Sequence, residues 1–303
     1  MVRADKPKTR KGKKFLQDRA PKTVENDKTA LFVNGTKVSD VLKMAMHDIY
    51  DLKKPLVSKL NRKNPYHPFE DETPIVRHGE KADASLFLFG STSKKRPNLM
   101  TFGRLFDAQL LDMAELRVTA YKSASNFDAP KMTLGSKPCI ILEGPTFESD
   151  PDMKRIGNLM VDWFRGPVAD TVRLEGLETV IVFTAVSETD LLMRVYRTQL
   201  KKSNTSTPRV ELVEMGPSVD FAVMRKKLAD ESLFKLACRK PKALIAKRRK
   251  NMSEDVFGNQ LARVHVGKQN TNTIQTRKVK ALKNTELVDD DVIERGGEEM
   301  DQE

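Results

Sequence analysis

Four adjacent cations, Lys247-Arg248-Arg249-Lys250, are the strongest chemical signal in the sequence. Like charges this close repel one another unless a polyanion neutralises them, so the run predicts contact with nucleic-acid phosphates. It equally fits a nuclear-import signal, and the two interpretations are compatible. The run contains no aromatic residue, and it therefore offers charge without a surface on which bases could stack.

Two further basic clusters follow predicted strands. Lys94-Lys95-Arg96 comes after an apolar run that ends at Phe89-Gly90, and Lys201-Lys202 precedes the polar stretch SNTSTP. We expect strand-end loops to project these cations from the edge of a sheet. If the two loops occupy related positions in a duplicated fold, together they would form a phosphate-contacting surface. Solvated loop charge explains either cluster, taken alone, equally well.

Catalytic patterns are sparse. The sequence lacks the phosphate-loop, dinucleotide, nucleophile-elbow and zinc-protease motifs GxxxxGK[ST], GxGxxG, GxSxG and HExxH. The segment His67-Pro-Phe-Glu-Asp-Glu72 places an imidazole near three carboxylates, but solvated loop surface is its simpler interpretation. Asp150 and Asp152 fit a helix start better than a catalytic pair. Cys139 and Cys238 are far apart and form no zinc motif. We predict no enzyme activity, no cofactor and no metal.

The net charge of +12 is unevenly distributed along the chain. Residues 1–28 carry 10 basic and 4 acidic side chains, residues 225–283 carry 17 and 4, and residues 284–303 carry 1 and 9. The remaining residues, 29–224, hold 26 basic and 25 acidic side chains and are nearly neutral. The excess positive charge therefore flanks the central part of the chain, which favours a polyanionic partner for the flanks.

The central part repeats one local pattern. The apolar run Ala30-Leu31-Phe32-Val33 precedes a helical stripe that Ser39 can cap, and Cys139-Ile140-Ile141-Leu142 precedes a stripe that Asp150 can cap. Another strand candidate then follows in each half, at residues 85–89 and 179–184. Further strands are predicted at residues 191–197, 209–214 and 221–225. This duplication predicts an α/β fold of two pseudo-symmetric strand–helix–strand halves with mixed sheets.

We predict four segments along the chain. They are a disordered basic arm at 1–28, one domain at 29–235 with halves near 29–135 and 136–235, a basic extension at 236–283 that wraps RNA or a partner, and a disordered acidic tail at 284–303. The start lacks the apolar stretch of a secretory signal, and no window approaches the ~18 apolar residues of a membrane span. We therefore expect an intracellular chain with no membrane association.

Several stretches resemble the Brix-domain family of ribosome biogenesis factors, and within it the ribosome production factor 2 group. They cover most of residues 29–283 and comprise TALFVNGTK (29–37), HPFEDE (67–72), ASLFLFGSTSKKRPN (84–98), FGRLFD (102–107), FRGP (164–167), LKKSNTSTPRVELVEMGPS (200–218) and VFGNQLARVHVGKQ (256–269). The KKRPN and TPRVELVEMGPS segments are the most specific of these.

The resemblance implies a Brix domain of two similar halves flanked by extended basic tails. It also implies a non-catalytic assembly factor of the nucleolus and nucleus. Implied partners are 5S rRNA with its two ribosomal proteins, large-subunit precursor rRNA, and a heterodimer partner, the regulator of ribosome synthesis protein. Two departures stand out, since Asn98 stands alone where an asparagine pair is usual and Ala262 replaces a usual glycine.

The RNA-facing candidates carried over by the resemblance share a positive charge or an imidazole. They are Lys94, Lys95, Arg96, Lys201, Lys202, Lys247, Arg248, Arg249, Lys250, Arg263 and His265. Three functions compete at this point: an RNA-bound scaffold with a protein partner, a protein-only adaptor whose basic tails serve nuclear import, and an RNA-modifying enzyme. The charge distribution favours the first, which predicts RNA binding that depends steeply on salt.

Overall fold

The computed structural model describes residues 7–20, 22–169, 171–173, 176–205, 207–245, 250–264 and 266–268. The chain divides into two compact units, Met1–Ile245 and Ala246–Glu303. In the first unit, the strands are β1 (Ala30–Gly35), β2 (Val57–Asn64), β3 (Leu86–Ser91), β4 (Leu99–Phe106), β5 (Gln109–Lys122), β6 (Cys139–Glu143), β7 (Thr179–Ala185), β8 (Asp190–Lys201), β9 (Arg209–Glu214) and β10 (Ser218–Leu228). Its helices are α1 (Arg10–Arg19), α2 (Asp40–Lys53), α3 (Thr73–Ala82), α4 (Thr146–Ser149), α5 (Pro151–Phe164) and α6 (Glu231–Ala237).

These ten strands form one mixed sheet. Its order is β2-β1-β3-β4-β5-β10-β8-β7-β6, and β9 pairs with β8. The first half contributes the parallel pair β1 and β3, and the second half contributes the parallel pair β6 and β7. Antiparallel strands follow each pair. The halves meet where β5 pairs antiparallel with β10. The predicted α/β fold of two pseudo-symmetric halves is therefore confirmed. The first half contains β2 and α3 in addition to the repeated unit, and the second contains β9, the strand predicted at residues 209–214.

The two long helices begin where the sequence predicts. The Ser39 side chain accepts a hydrogen bond from the Leu42 amide at 3.2 Å, and the Asp150 carboxylate accepts from the amides of Asp152 and Met153. Such caps satisfy N–H groups that have no partner within the helix. Both helices pack on the same face of the sheet.

The core on that face belongs to both halves. The Trp163 ring of α5 packs against Phe32 of β1 and Phe102 of β4, with ring centroids 5.7 and 5.3 Å apart. All three side chains are buried. On the opposite face, a smaller cluster that includes Ile75 of α3 and Phe87 of β3 covers the first half. Because each half supplies apolar surface that the other buries, the halves stabilise each other.

A buried network of charges also joins the halves. Asp112 of β5 accepts hydrogen bonds from Arg104 Nε at 2.8 Å and from Arg155 Nε of α5 at 3.2 Å. Asp162, also on α5, contacts Arg104 and lies 2.6 Å from Lys28 Nζ. Burial alone would raise the pKa of Asp162, but the hydrogen bond and charge of Lys28, with Arg104, hold that pKa below its usual value. The network fixes α5 and the segment before β1 to the sheet.

The structure differs from the sequence-based expectation at the amino-terminal arm. We predicted disorder over residues 1–28, whereas residues 10–19 form the helix α1. The Thr9 hydroxyl accepts a hydrogen bond from the Gly12 amide at 3.1 Å, and the helix consists mainly of lysine, arginine and other good helix formers. No α1 residue is buried, so the helix forms without contributing to the core.

The second unit contains an antiparallel hairpin of β11 (Met252–Glu254) and β12 (Gln260–Ala262). Its described residues are exposed. Part of the predicted basic extension, residues 246–249, 265 and 269–283, and all of the predicted acidic tail, 284–303, lie outside the described residues.

Candidate nucleic-acid interface

The loop that joins β3 to β4, residues 92–98, carries the first predicted cluster. A turn shapes it, in which the Ser93 amide donates to the Arg96 carbonyl at 3.0 Å and the Arg96 amide donates to the Ser93 hydroxyl at 3.1 Å. Asn98 closes the loop with φ of 50°, a conformation that asparagine tolerates better than most residues. Lys94 and Lys95 are exposed. The loop therefore presents both ammonium groups at the end of the sheet.

Arg96 turns back toward the sheet instead. Its Nη1 lies 3.6 Å from the carboxylate of Glu115 on β5, a side chain that is 4% exposed. Arg225 of β10 binds the same carboxylate with two hydrogen bonds of 2.6 and 2.7 Å. One buried carboxylate thus holds two guanidinium groups at the surface.

Sequence reasoning missed two members of this cluster, Arg117 and Arg225. Arg117 lies two residues after Glu115 on the same face of β5 and is in register with Leu99, the first residue of β4. No carboxylate of the described residues lies within ion-pair distance of its guanidinium. The alternation of charged and apolar residues in QLLDMAELRVTAYK was the signal that could have identified β5 and its arginines.

Lys201 and Lys202 lie at the end of β8, beside the turn to β9. Lys201 forms an ion pair with Glu211 of β9, and Lys202 is exposed. The strand order places this end of β8 at the same end of the sheet as residues 92–98, with three strand spacings, about 14 Å, between β4 and β8. Lys201 also lies eight residues beyond Met193, where β8 leaves β10, which corresponds to about 26 Å.

The two basic loops are therefore separate surfaces, and the predicted related positions are wrong. By the pseudo-symmetry of the sheet, the counterpart of residues 92–98 is the connection between β7 and β8, residues 186–189. That connection contains Ser187 and Glu188 and no cation. The β8–β9 hairpin has no equivalent in the first half.

In the second unit, Lys250 and Arg263 flank the hairpin and are exposed. The Arg263 amide donates to the Asn251 carbonyl at 2.7 Å, which closes the base of the hairpin. Ala262 pairs with Met252 as an ordinary strand residue, and its φ is not positive. The alanine therefore fits the backbone at the position where the resemblance implies a glycine. Lys247, Arg248, Arg249 and His265 lie outside the described residues.

The carboxylates considered for catalysis are engaged in structural contacts. In the 67–72 segment, the Phe69 ring lies 4.5 Å from the Arg225 guanidinium, and Glu72 forms an ion pair with Lys227. Asp152 pairs with Lys226. The described part of the chain contains no group of three or more side chains placed to hold a metal ion. Nor does any helix within it have the length and apolar composition needed to cross a membrane.

The sequence of this chain is similar to those of known proteins. The sequence pattern of the Brix domain matches residues 35–225. A ribosome production factor 2 homolog of Caenorhabditis elegans is 72% identical over 95% of this chain and 97% of its own length. The homologs of Drosophila melanogaster and Homo sapiens are 46% and 43% identical, over 94% and 84% of this chain and 89% and 83% of their own lengths.

Solved structures share less with this chain. The crystal structure of a probable ribosomal biogenesis protein from Aeropyrum pernix K1 aligns with 67% of this chain and 99% of its own, with a TM-score of 0.44 and 8% identity. The match of the domain over most of the chain, together with full-length relatives at high identity, determines the family. The chain belongs to the Brix-domain family of ribosome biogenesis factors, in the ribosome production factor 2 group.

Proposed function

We propose that this protein is a non-catalytic factor that binds ribosomal RNA and helps incorporate 5S rRNA, with its two ribosomal proteins, into the large-subunit precursor. Its work would take place in the nucleolus and nucleus. The relatives named as ribosome production factors support a role in ribosome biogenesis. The binding of RNA is supported by the charge distribution.

The observation that carries the proposal is the separation of charge from the folded core. Residues 225–283 hold 17 basic and 4 acidic side chains, whereas residues 29–224 are nearly neutral. Arg225, Lys226 and Lys227 belong to β10 and pair with carboxylates of the fold, so the uncompensated charge lies in the residues that follow. Lys250 and Arg263 are exposed, and no ion pair within the described residues uses either. Cations that are not consumed by the protein's own carboxylates remain available to phosphates, and they release counterions on binding RNA.

We predict that changing Lys247, Arg248, Arg249 and Lys250 together to Gln flattens the plot of log K for RNA against log salt by about 3 units, at roughly 0.7 to 0.9 per phosphate. Preference among RNA sequences should barely change, because phosphate contacts carry no base information. Binding titrations at several salt concentrations give the slopes. Thermal melts of the same samples should show an unchanged melting temperature.

The matched control changes four exposed cations on separate elements to Gln, namely Lys43, Arg77, Lys154 and Lys235. Its net charge equals that of the first variant, so general electrostatics affect both alike. If the two variants have parallel slopes, the 247–250 run does not contact RNA. The protein-only adaptor, whose basic tails serve import, would then be the better function.

We also propose that the regulator of ribosome synthesis protein binds the sheet face opposite α5. In the first half α3 covers this face, whereas in the second half it carries Ile141 of β6 and the hairpin residues Leu200, Val210 and Leu212. These four side chains are 43%, 42%, 56% and 50% exposed. Strand register places them on one face. An exposed apolar surface of this kind is typical of a protein–protein interface.

Changing Val210 and Leu212 together to Asp should weaken binding of this partner at least tenfold, because two charges would have to be buried in the interface. The free energy of unfolding of the free protein should stay within about 0.5 kcal/mol of the wild-type value, since both positions are solvent-exposed. Calorimetric titration with the purified partner measures the affinity. The control variant changes Val41 and Met44 together to Asp, since both side chains are exposed on α2 and lie away from the proposed interface. Equal affinities for both variants would exclude this face.

A further inference from the structure

The arginines around Glu115 lie on a part of the sheet that no helix of the described residues covers. α3 and the 67–72 segment cover β1 and β3, and this cover ends where the Phe69 ring meets Arg225. Beyond it, the β3–β4 loop, β5 and β10 present Arg96, Arg117 and Arg225 on one face. We propose that these three guanidinium groups form a binding site for phosphates of the RNA backbone. The proposal rests on the RNA-binding function proposed above.

The charge balance of the site favours an anion. Arg96 and Arg225 share the single carboxylate of Glu115, and Arg117 has no carboxylate partner among the described residues. The charge of Glu70 also acts on Arg225, so three positive charges face two negative charges and leave a local excess of one. The loop from 92 to 98 adds Lys94 and Lys95, both exposed. A phosphate diester that bound here would neutralise part of an excess that the fold leaves uncompensated.

The contacts also hold the guanidinium groups in place before a ligand arrives. Arg225 uses Nε and Nη2 for Glu115 and rests its plane over the Phe69 ring, which leaves Nη1 for a ligand. Arg96 uses only Nη1. These side chains are 33% and 44% exposed, respectively. Arginine that is fixed by a carboxylate and an aromatic ring loses little conformational entropy on binding phosphate, and its fork-shaped set of donors suits phosphate oxygens.

Arg117 completes the site. It is half-buried, and it lies two residues from Glu115 along β5, a separation of about 7 Å. The Val118 amide next to it donates to the Asn98 carbonyl at 2.9 Å, which fastens this part of β5 to the end of the basic loop. The loop cations and the three arginines therefore form one continuous surface. An acidic peptide could use the same charge, but Pro97 is the loop's one exposed apolar side chain, and the loop has none of the aromatic or methionine side chains in which protein interfaces are enriched.

The test compares Arg117→Gln, Arg117→Lys and Arg77→Gln in the full-length chain. Arg77 is exposed on α3, so its change to Gln removes one charge outside the site. We expect Arg117→Gln to weaken RNA binding roughly tenfold and to reduce the salt slope by about 0.7 to 0.9. Arg117→Lys keeps the charge and should keep the slope while losing part of the affinity. Arg77→Gln should match wild type.

Each outcome decides the proposal. If wild type binds RNA with a steep salt slope and Arg117→Gln has the slope of Arg77→Gln, the site is wrong while RNA binding stands. If wild type shows no salt-dependent RNA binding, the proposed function fails first and the site with it. Loss of poly-glutamate binding with unchanged RNA binding would assign the arginines to an acidic protein. Thermal melts of the variants, Arg117→Lys included, check that each one is folded before its salt slope is compared.

Discussion

Changing Asp112 to Ala is expected to lower the free energy of unfolding by about 3 to 5 kcal/mol. Asp112 is fully buried, and its carboxylate accepts hydrogen bonds from Arg104, Arg155 and the Ala229 amide. Arg104 is also buried. Removal of the carboxylate leaves Arg104 with Asp162 as its remaining acidic partner and removes the acidic partner of Arg155 and the acceptor of the Ala229 amide, and the cost of burying charged groups and N–H groups without partners is large.

Urea denaturation followed by circular dichroism measures this loss. The control is Asp40→Ala, which removes an exposed carboxylate that pairs with Lys43 on the surface of α2 and should change stability by less than about 0.5 kcal/mol. Because Asp112 joins β5 to α5 and to the segment after β10, we expect the variant to unfold in one transition, as a single domain at 29–235 requires. A loss below about 1 kcal/mol, or separate transitions for the two halves, would contradict the expectation.

Much of the fold was predictable because its signals are local. The apolar runs of β1, β3, β6 and β7 lie between turns, and Ser39 and Asp150 mark the starts of the two long helices. Among the elements that were missed are β2, α3, β4 and β5 of the first half. β2 is an edge strand with a mainly polar sequence. β5 contains Asp112 and Glu115, which look like surface residues in the sequence because their partners Arg155 and Arg225 lie in distant parts of the chain.

The candidate site likewise contains residues that local sequence predicts and residues that only strand pairing brings together. The exposed Lys94 and Lys95 were predictable, since they directly follow an apolar strand. The arginine cluster was not, because Arg225 reaches Glu115 across 110 positions of sequence, through the pairing of β5 with β10. The same pairing is what joins the two halves. A sequence pattern within one segment does not indicate how β5 and β10 align with each other.

Lys53 is a buried charged residue whose replacement, unlike that of Asp112, is not expected to destabilise the protein at pH 7. Its side chain ends α2 inside the core, where Nζ donates to the Trp163 carbonyl at 2.7 Å, and the residue is 6% exposed. Burial lowers the pKa of Lys53 to about 8, although the charge of Asp162 opposes the shift. Because the pKa in the unfolded chain is near 10.5, the unfolded state binds more protons between these two values. The contribution of Lys53 to stability must therefore rise with pH over that range.

Between pH 7 and pH 10 this group should add about 2.5 kcal/mol to the free energy of unfolding of the wild type. Lys53→Met has a similar volume and no titrating group, so it should be at least as stable as wild type at pH 7 and should lose that advantage by pH 10. Urea titrations of both proteins at each pH unit measure the difference. Lys54→Met is the control, since a hydrogen bond to Asp51 raises the pKa of Lys54 above its value of 10.5 in the unfolded chain. Its contribution to stability is lost only as pH rises past that value, so the difference between Lys54→Met and wild type should stay nearly constant from pH 7 to pH 10. A constant difference between Lys53→Met and wild type from pH 7 to pH 10 would mean that the buried ammonium keeps its ordinary pKa, and that the core solvates it better than its contacts indicate.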